Sequence, residues 1–226
     1  CSARLAAMAE QELPAPRNPE PLIEQIRDRT NIDYAPAQID ALRQALHHQV
    51  MIITGGPGVG KTTVIGEIVR RAKAARVKFF LAAPTGRAAK RLTEVTGEDA
   101  STIHRLLEYS GEFGDFQKDE DDPIRADVII VDESSMLELS LAASLLEAMP
   151  LHGRLVLVGD ADQLPPVGAG SFFADLLGVE AMPRVRLTEI FRQAQGSDIV
   201  LNAHSFNRGE LPQMRKNDGD FYFSVS

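Results

Sequence analysis

The sequence predicts an α/β fold in which a mostly parallel β-sheet is covered by helices on both faces. From Tyr34 onward, short apolar segments alternate with segments of helical pattern. Strands that are apolar along their whole length are typical of a parallel sheet that is buried on both faces. A glycine-rich segment, 55–60, separates the first of these strands from the next helix, at the edge where such sheets bind ligands.

The individual elements follow from local patterns. A helix is predicted over 37–48, because Pro36 suits the start of a helix. The buried strands are short apolar runs at 50–54, 77–83, 127–131, 154–158 and 185–187. One further helix is predicted to begin at Thr63. Four more are predicted, over 86–95, over 103–108, from the end of the third strand to Met149, and over 197–206. Ser101 and Thr102 are suited to cap the helix at 103–108.

The two ends of the chain differ from this alternating region. Residues 1–33 are expected to form a helical tail, a proline-rich break at 14–21 and a short helix at 22–28. This segment is either a linker from an upstream domain or an ordered arm of the main domain, which is predicted over 34–208. Residues 209–226 are interpreted as the start of a link to a further domain. The initial Cys1 in place of Met favours a fragment.

Composition limits the possible classes of protein. A chain of 226 residues that is 44% hydrophobic can bury the core of one sizeable domain. A single cysteine excludes a disulfide framework, and five histidines without H-E-x-x-H spacing do not indicate zinc. The sequence has no signal-peptide pattern and no apolar run long enough to cross a bilayer, so we expect a cytoplasmic protein with no membrane partner.

The charge distribution bears on nucleic-acid binding. The net charge of −8 argues against affinity for nucleic acid over the whole surface. It leaves room for a local basic path, because basic residues cluster at Arg87, Lys90 and Arg91, whereas acidic residues concentrate in 115–122.

Residues 55–62 fit the pattern G-x-x-x-x-G-K-[ST], which is typical of a loop that binds nucleotide phosphates. Glycines let backbone N–H groups face the phosphates, and the following helix N-terminus adds positive potential. Lys61 is expected to reach the β- and γ-phosphates, and Thr62 to bind Mg²⁺. The predicted nucleotide contacts are Gly56, Pro57, Gly58, Val59, Gly60, Lys61, Thr62 and Thr63. The alternative is a simple glycine-rich turn.

A second pattern places two acids directly after the buried strand at 127–131. Asp132 is expected to bind Mg²⁺, and Glu133 to act as the general base that polarises the attacking water. Acids also occur at helix N-termini for reasons of stability alone, which is the alternative.

A third pattern, GDADQLPPV, follows the strand at 154–158. Gln163 is suited to hydrogen-bond a γ-phosphate or the attacking water. The two consecutive prolines, Pro165 and Pro166, are stiff and would transmit any movement of Gln163 away from the nucleotide toward the surface. A proline-rich turn is the alternative.

Six motifs occur in a fixed order, and together they resemble superfamily 1 DNA helicases of the 5′-to-3′ branch. They are GGPGVGKTT at 55–63, APTGRAAKRL at 83–92, STIHRLL at 101–107, IIVDESSML at 129–137, LVGDADQLPPVGAG at 157–170 and LTEIFRQ at 187–193. The chain is similar to RecD-like helicases, the exonuclease V alpha-subunit family, from about 34 to 208. The resemblance implies the first RecA-like motor domain, with ATP, Mg²⁺ and single-stranded DNA as ligands and proteins of a repair complex as possible partners. Without a second motor domain, slow hydrolysis and no processive unwinding are expected.

The resemblance also implies individual roles near the nucleotide. Gln38 would lie at the adenine edge, and Gln163 would couple the γ-phosphate to DNA. Arg192 would contact the γ-phosphate as an arginine finger, which neutralises charge in the transition state. Lys61 and Glu133 keep the catalytic roles given above.

The resemblance places DNA contacts in three segments. Pro84, Thr85, Gly86 and Arg87 form the first segment, in which a helix N-terminus can bind a DNA phosphate. The other two segments contribute His104 and the pair Pro165 and Pro166. A helix-capping turn is the alternative for the first segment, and a packing role is the alternative for His104.

Residues 109–123 lie where related helicases insert a small hairpin used as a wedge against the duplex. Phe113 and Phe116 are aromatic side chains that could stack on bases, but the surrounding acids would repel DNA. The segment is therefore either a strand-separating hairpin or a mobile acidic loop.

Two other functions remain open from the sequence. One is a different P-loop ATPase, such as an AAA+ remodeller, although the Gln-Pro-Pro run argues against it. The other is a nucleotide-gated module that docks a partner protein and never unwinds DNA.

Overall fold

The computed structural model describes residues 2–9, 34–190, 197–212 and 220–221. The helices are α1 (Ser2–Ala9), α2 (Pro36–His47), α3 (Lys61–Ala74), α4 (Gly86–Thr96), α5 (Ile103–Leu106), α6 (Leu139–Glu147), α7 (Phe172–Gly178) and α8 (Asp198–Asn207). The strands are β1 (Val50–Thr54), β2 (Phe79–Ala83), β3 (Ala100–Thr102), β4 (Tyr109–Ser110), β5 (Asp115–Phe116), β6 (Val128–Val131), β7 (Arg154–Gly159) and β8 (Arg184–Arg186). A 3₁₀ turn covers Ser134–Met136.

The main sheet has six strands in the order β3-β2-β6-β7-β1-β8, and every pair is parallel. At its carboxyl edge, Thr54 pairs with Gly159 on one side and Arg186 on the other. The loops that follow β1, β6 and β7 therefore leave the sheet side by side. The predicted α/β fold with a parallel sheet is confirmed.

Alternating side chains of the strands feed two hydrophobic cores. In β1, Val50 and Ile52 belong to one core, while Met51 and Ile53 belong to the other. Helices α2, α3 and α4 cover the second core, and α5, α6 and α7 cover the first. Because both faces are buried, the strands read as continuous apolar runs rather than as alternating ones.

Helix α1 packs on this domain. Leu5 and Met8 are buried in the first core. The Arg4 guanidinium donates to the carbonyl oxygens of Glu147 and Met149. The domain boundaries predicted from the sequence stay predictions, and the short helix predicted at 22–28 lies outside the described residues.

The helix predicted from the third strand to Met149 is confirmed over Leu139–Glu147, but its predicted start directly after the strand is wrong. Glu133 has a φ of 53°, in the left-handed region, so a regular helix cannot start directly after β6. A 3₁₀ turn follows, the backbone is extended at Leu137 and Glu138, and α6 begins only at Leu139. Strand β3 and helix α7 lie in segments to which the sequence patterns assigned no element.

Residues 109–116 form a short antiparallel hairpin. Tyr109 pairs with Phe116, and Ser110 with Asp115. Gly114 has a φ of +68°, which favours glycine at this turn, and Phe113 at the tip is 72% exposed. A strand-separating role for this hairpin stays a prediction.

None of the helices in the described ranges is long and apolar enough to cross a membrane.

Candidate functional site

The loop between β1 and α3 has the backbone shape of a phosphate cradle. Gly58 and Gly60 have φ values of 75° and 80°, where a side chain would be strained. A Cβ on Gly55 would lie 2.6 Å from the carbonyl oxygen of Leu187, so the loop can approach β8 only without a side chain there. Gly60 is the N-cap of α3 and has no side-chain hydrogen bond, so the first N–H groups of the helix remain open to a ligand.

Lys61 is the first residue of α3, and its side chain folds back along the loop. Its Nζ donates to the carbonyl oxygens of Gly55 at 2.5 Å and Gly56 at 2.9 Å. Burial lowers the pKa of Lys61, and nearby carboxylates oppose that shift. These carboxylates belong to Asp160, Glu133 and Asp132. The ammonium group therefore lies at the junction of the three loops at the carboxyl edge.

Asp132, the first of the two acids after β6, is held by the backbone of the second. Asp132 Oδ1 accepts a hydrogen bond from the Glu133 N–H at 2.9 Å, and burial raises the pKa of Asp132. No three His, Cys, Asp or Glu side chains cluster as a metal site in the described part of the chain. Mg²⁺ bound with phosphates needs only one or two protein ligands, so binding of Mg²⁺ by Asp132 and Thr62 stays a prediction.

The Gln163 side chain contacts two residues of the segment that follows β6, Glu133 and Ser135. Its Oε1 accepts from the Ser135 Oγ at 2.8 Å, and its Nε2 donates to the Glu133 Oε2 at 3.4 Å. The Glu133 carboxylate can only accept, so it faces the Nε2 end of the amide, while the Ser135 hydroxyl, which accepts from the Asp160 N–H, donates to the Oε1 end. Sequence reasoning missed Ser135, because its partner is distant in sequence.

The loop that carries Gln163 is tied to neighbouring strands. The Ala161 N–H donates to the Thr54 Oγ1 at 3.2 Å, and Arg186 pairs with Asp162 at 3.2 Å. The buried Asp160 accepts from the Asp162 N–H at 3.0 Å. These bonds connect the loop to β1 and β8, and sequence reasoning missed Thr54 as well.

Gln38 is buried against the phosphate loop. Its Oε1 accepts from the Ala35 N–H at 3.1 Å, and its Nε2 donates to the carbonyl oxygens of Val59 at 3.4 Å and Gly60 at 3.3 Å. The side chain thus supports the loop from the α2 side. Its contact with adenine stays a prediction.

A groove with a volume of about 770 Å³ runs beside the Gln163 loop. It is lined by five of the residues predicted to contact DNA, which are Pro84, Thr85, His104, Pro165 and Pro166. Thr85 caps α4 by accepting from the Ala88 N–H at 3.2 Å, and the exposed Gly86 and Arg87 follow in the first turn of that helix. Gln163 lines the same groove, so one side chain contacts both Glu133 and the groove.

Phe116, which the sequence suggested for stacking on bases, also lines the groove. Sequence reasoning missed its other apolar and acidic members, of which the apolar ones are Met136, Leu141, Leu164 and Val167. Val167 and Leu164 are almost fully exposed, so a ligand that covered these apolar side chains would gain free energy by removing them from water. Glu138 supplies an acid on the same lining.

His104 belongs to an aromatic cluster with Tyr109 and Phe116. The ring centroids are separated by 5.8 Å for His104 and Tyr109, 5.6 Å for His104 and Phe116, and 5.3 Å for Tyr109 and Phe116. His104 therefore both lines the groove and packs against the base of the hairpin. Arg192, the predicted arginine finger, lies outside the described residues.

Comparison with known families adds to this geometry. A family described as an AAA domain matches residues 38–169. The chain belongs to this AAA-domain family. The match begins at Gln38 and includes the phosphate loop, both acids and the Gln163 loop, so nucleotide use follows from the family as well as from the loop geometry.

Curated relatives of this AAA domain include RecD-type proteins. It is 43% identical over 175 residues to the ATP-dependent RecD2 DNA helicase of Deinococcus radiodurans, covering 77% of this chain and 24% of that protein. It is 37% identical over 184 residues to the RecBCD enzyme subunit RecD of Mycolicibacterium smegmatis, covering 70% of this chain and 33% of that protein. The predicted resemblance to RecD-like helicases is confirmed. The chain spans about a quarter to a third of the length of these relatives.

Among solved structures, this AAA domain is similar to the Pif1 helicase from Candida albicans. The TM-score is 0.58 at 23% sequence identity, with 80% of this chain and 45% of that chain covered. At this identity the similarity supports the fold, which is that of a RecA-like domain.

Proposed function

We propose that the chain is the first motor domain of a helicase that hydrolyses ATP to translocate 5′-to-3′ along single-stranded DNA in recombination and repair. The observation that carries this proposal is the position of Gln163, which bonds to Glu133 and lines the groove. The direction of movement and the pathway rest on the resemblance to RecD-like helicases. The cytoplasmic setting also stays a prediction.

The nucleotide would be held by the backbone of the phosphate loop and by Lys61. Thr62 and Asp132 would bind Mg²⁺, which supplies neutralisation of phosphate charge. Glu133 would act as the general base toward the attacking water. Arg192 would add a guanidinium at the γ-phosphate, as predicted from the motif that contains it.

Single-stranded DNA would occupy the groove. Thr85 and the N-terminus of α4 present N–H groups that suit a phosphate, and Arg87 adds a positive charge. The apolar lining at Leu164 and Val167 suits the faces of bases, which bind without strong sequence preference. The groove and its surroundings therefore combine groups that suit phosphates with apolar contacts that suit bases.

Gln163 would link the two ligands. Any change in Glu133 or its ligands would alter the acceptor of the Gln163 amide, and the next residues, Leu164, Pro165 and Pro166, line the groove. Two consecutive prolines transmit such a shift because their φ angles are fixed. The affinity of the groove for DNA would thus change with the nucleotide that is bound.

The test is ATP hydrolysis with and without single-stranded DNA. It is measured for residues 1–226 and for a chain in which this segment continues into a second motor domain. We expect slow hydrolysis by the short chain, strong stimulation by DNA in the longer one, and loss of both in Lys61→Ala. Processive unwinding by residues 1–226 alone would contradict the proposal.

A nucleotide-gated docking module is the second candidate function. It is favoured by relatives that are named as subunits of the RecBCD enzyme. Nucleotide binding without stimulation by DNA in the longer chain would favour this candidate or a remodelling ATPase over a motor. Tight binding of a partner protein in the same preparation would select the module.

A further inference from the structure

A histidine from the last described helix contacts the phosphate loop. His204 Nε2 lies 2.9 Å from the carbonyl oxygen of Pro57, across 147 residues of sequence. The imidazole also fills the space beside Gly56, where a Cβ would lie 2.7 Å from the ring. The sequence motifs assigned no role to His204.

Helix α8 is held in place at its N-terminus. Ser197 caps it by accepting from the Val200 N–H at 3.3 Å. The Asp220 carboxylate accepts from the Ser197 hydroxyl at 2.6 Å and from the Asp198 N–H at 2.6 Å. Because these bonds fix the start of the helix, His204 is presented to the loop from an ordered element.

The contact matters because of the geometry of a peptide bond. In a planar trans peptide, the carbonyl and the next N–H point in opposite directions. A donor on the Pro57 carbonyl therefore turns the Gly58 N–H to the other side of the loop. That N–H is near the surface and has no hydrogen-bond acceptor within the described parts of the chain.

The neighbouring carbonyls of the loop are held in a similar way. Lys61 Nζ binds the carbonyl oxygens of Gly55 and Gly56. Three consecutive carbonyls are thus bound by two side chains, one from α3 and one from α8. Because Lys61 is expected to turn to the phosphates, the bond from His204 is the one that fixes a peptide plane before a ligand arrives and keeps it fixed, which lowers the cost of binding.

We propose that His204 is a positioning residue of the nucleotide site. It holds the peptide between Pro57 and Gly58 so that the Gly58 N–H faces a nucleotide phosphate, and it joins the loop to α8. The role rests on the proposed nucleotide site. The carbonyl can only accept, so His204 Nε2 must donate, which it does both as the Nε2–H tautomer and as the imidazolium.

Three substitutions separate the hydrogen bond from the volume of the ring. His204→Gln keeps an N–H donor three bonds from Cβ, as in histidine. His204→Asn places its donor one bond closer to the backbone, too short to reach Pro57. His204→Leu keeps apolar volume and removes the donor. His152→Gln is the matched control, because His152 is exposed in the turn before β7, at the opposite edge of the sheet.

The measurement is the Kd of residues 1–226 for ADP and for a non-hydrolysable ATP analogue, by titration calorimetry. Loss of one hydrogen bond predicts Kd values about three- to tenfold higher for His204→Leu and His204→Asn. The Kd values of His204→Gln and of the control are expected to stay within about twofold of that of the unmodified chain, since both variants keep a side-chain donor to the Pro57 carbonyl. Thermal unfolding without nucleotide checks that each variant is folded.

Two results would overturn the role of His204. One is an unchanged Kd in folded His204→Leu and His204→Asn, and the other is a Kd in His204→Gln as high as in His204→Leu. Lys61→Ala is measured beside them. If Lys61→Ala loses binding while the His204 variants do not, the nucleotide site stands and the inference about His204 fails. If Lys61→Ala binds normally, the nucleotide site itself is wrong.

Discussion

The phosphate loop and the groove share one edge of the sheet but are constructed in different ways. The loop is shaped by backbone, with two glycines at positive φ and carbonyls bound by Lys61 and His204. The groove is lined mainly by side chains, of which Leu164 and Val167 are almost fully exposed. The peptide planes of the loop are thus held by side chains of the protein itself, whereas the groove leaves apolar side chains exposed to water.

The largest effect should follow from a change in loop backbone. Gly60→Ala places a side chain at a φ of 80° inside the cradle. We expect nucleotide affinity to fall by roughly two orders of magnitude, which corresponds to the loss of one or two hydrogen bonds to charged phosphate at about 1.5–3 kcal/mol each. Calorimetry of nucleotide binding measures this loss.

Gly97→Ala is the matched control for that substitution. Gly97 has a φ of 71° at the C-cap of α4 and faces open space. It should destabilise the fold by about 1 kcal/mol through the same backbone strain and leave nucleotide affinity unchanged. Equal losses of affinity in both variants would show that global strain, and not the cradle, explains the effect.

The next largest effect concerns turnover. Glu133→Gln keeps the shape of the side chain and removes the base, so kcat should fall by about 10²–10⁴ while nucleotide affinity is kept. The assay is DNA-stimulated hydrolysis by the chain that continues into a second motor domain. Normal turnover would show that Glu133 is not the base.

The site residues that could be predicted are those that lie in short contiguous sequence motifs. Lys61, Asp132, Glu133 and Gln163 each lie in a short string directly after a buried strand, so pattern and fold predict them together. Ser135, Thr54 and His204 could not be found this way, because their partners are 28, 107 and 147 residues away. Local patterns contain no information about such contacts.

The errors in predicted secondary structure also lie where the local sequence pattern is weak. Strand β3 consists of Ala100, Ser101 and Thr102, which are half-buried at the sheet edge and lack an apolar run. Helix α7 has seven residues, too few for a clear period. The helix predicted after β6 begins later than expected, because Glu133 takes a left-handed conformation that no local pattern indicates. The central strands were predictable because burial on both faces makes them apolar throughout.

A smaller effect should appear where the two regions meet. Ser135→Ala removes the hydroxyl that orients the Gln163 amide. We expect stimulation of hydrolysis by DNA to fall about three- to tenfold, as for one lost hydrogen bond, with nucleotide affinity unchanged. The ratio of hydrolysis rates with and without DNA measures this coupling.

Ser134→Ala is the control for that experiment. Ser134 is also buried, but its hydroxyl donates to the Val131 carbonyl at 2.9 Å and has no contact with Gln163 in the described structure. Ser134→Ala should lower the stability of the fold about as much as Ser135→Ala does, and it should leave the stimulation of hydrolysis by DNA unchanged. If both variants lose stimulation equally, Ser135 acts only through packing.

The smallest effect distinguishes the two sides of the groove. Arg87→Gln removes a charge near DNA phosphate, so the affinity for single-stranded DNA should fall and its dependence on salt should weaken by about one ion.

Leu164→Ser removes an apolar contact, so affinity should fall by about threefold with the salt dependence unchanged. Titrations of fluorescent single-stranded DNA at several salt concentrations separate the two. An unchanged salt slope in Arg87→Gln would remove this arginine from the phosphate side, and full affinity in Leu164→Ser would show that bases do not contact the apolar lining at that residue.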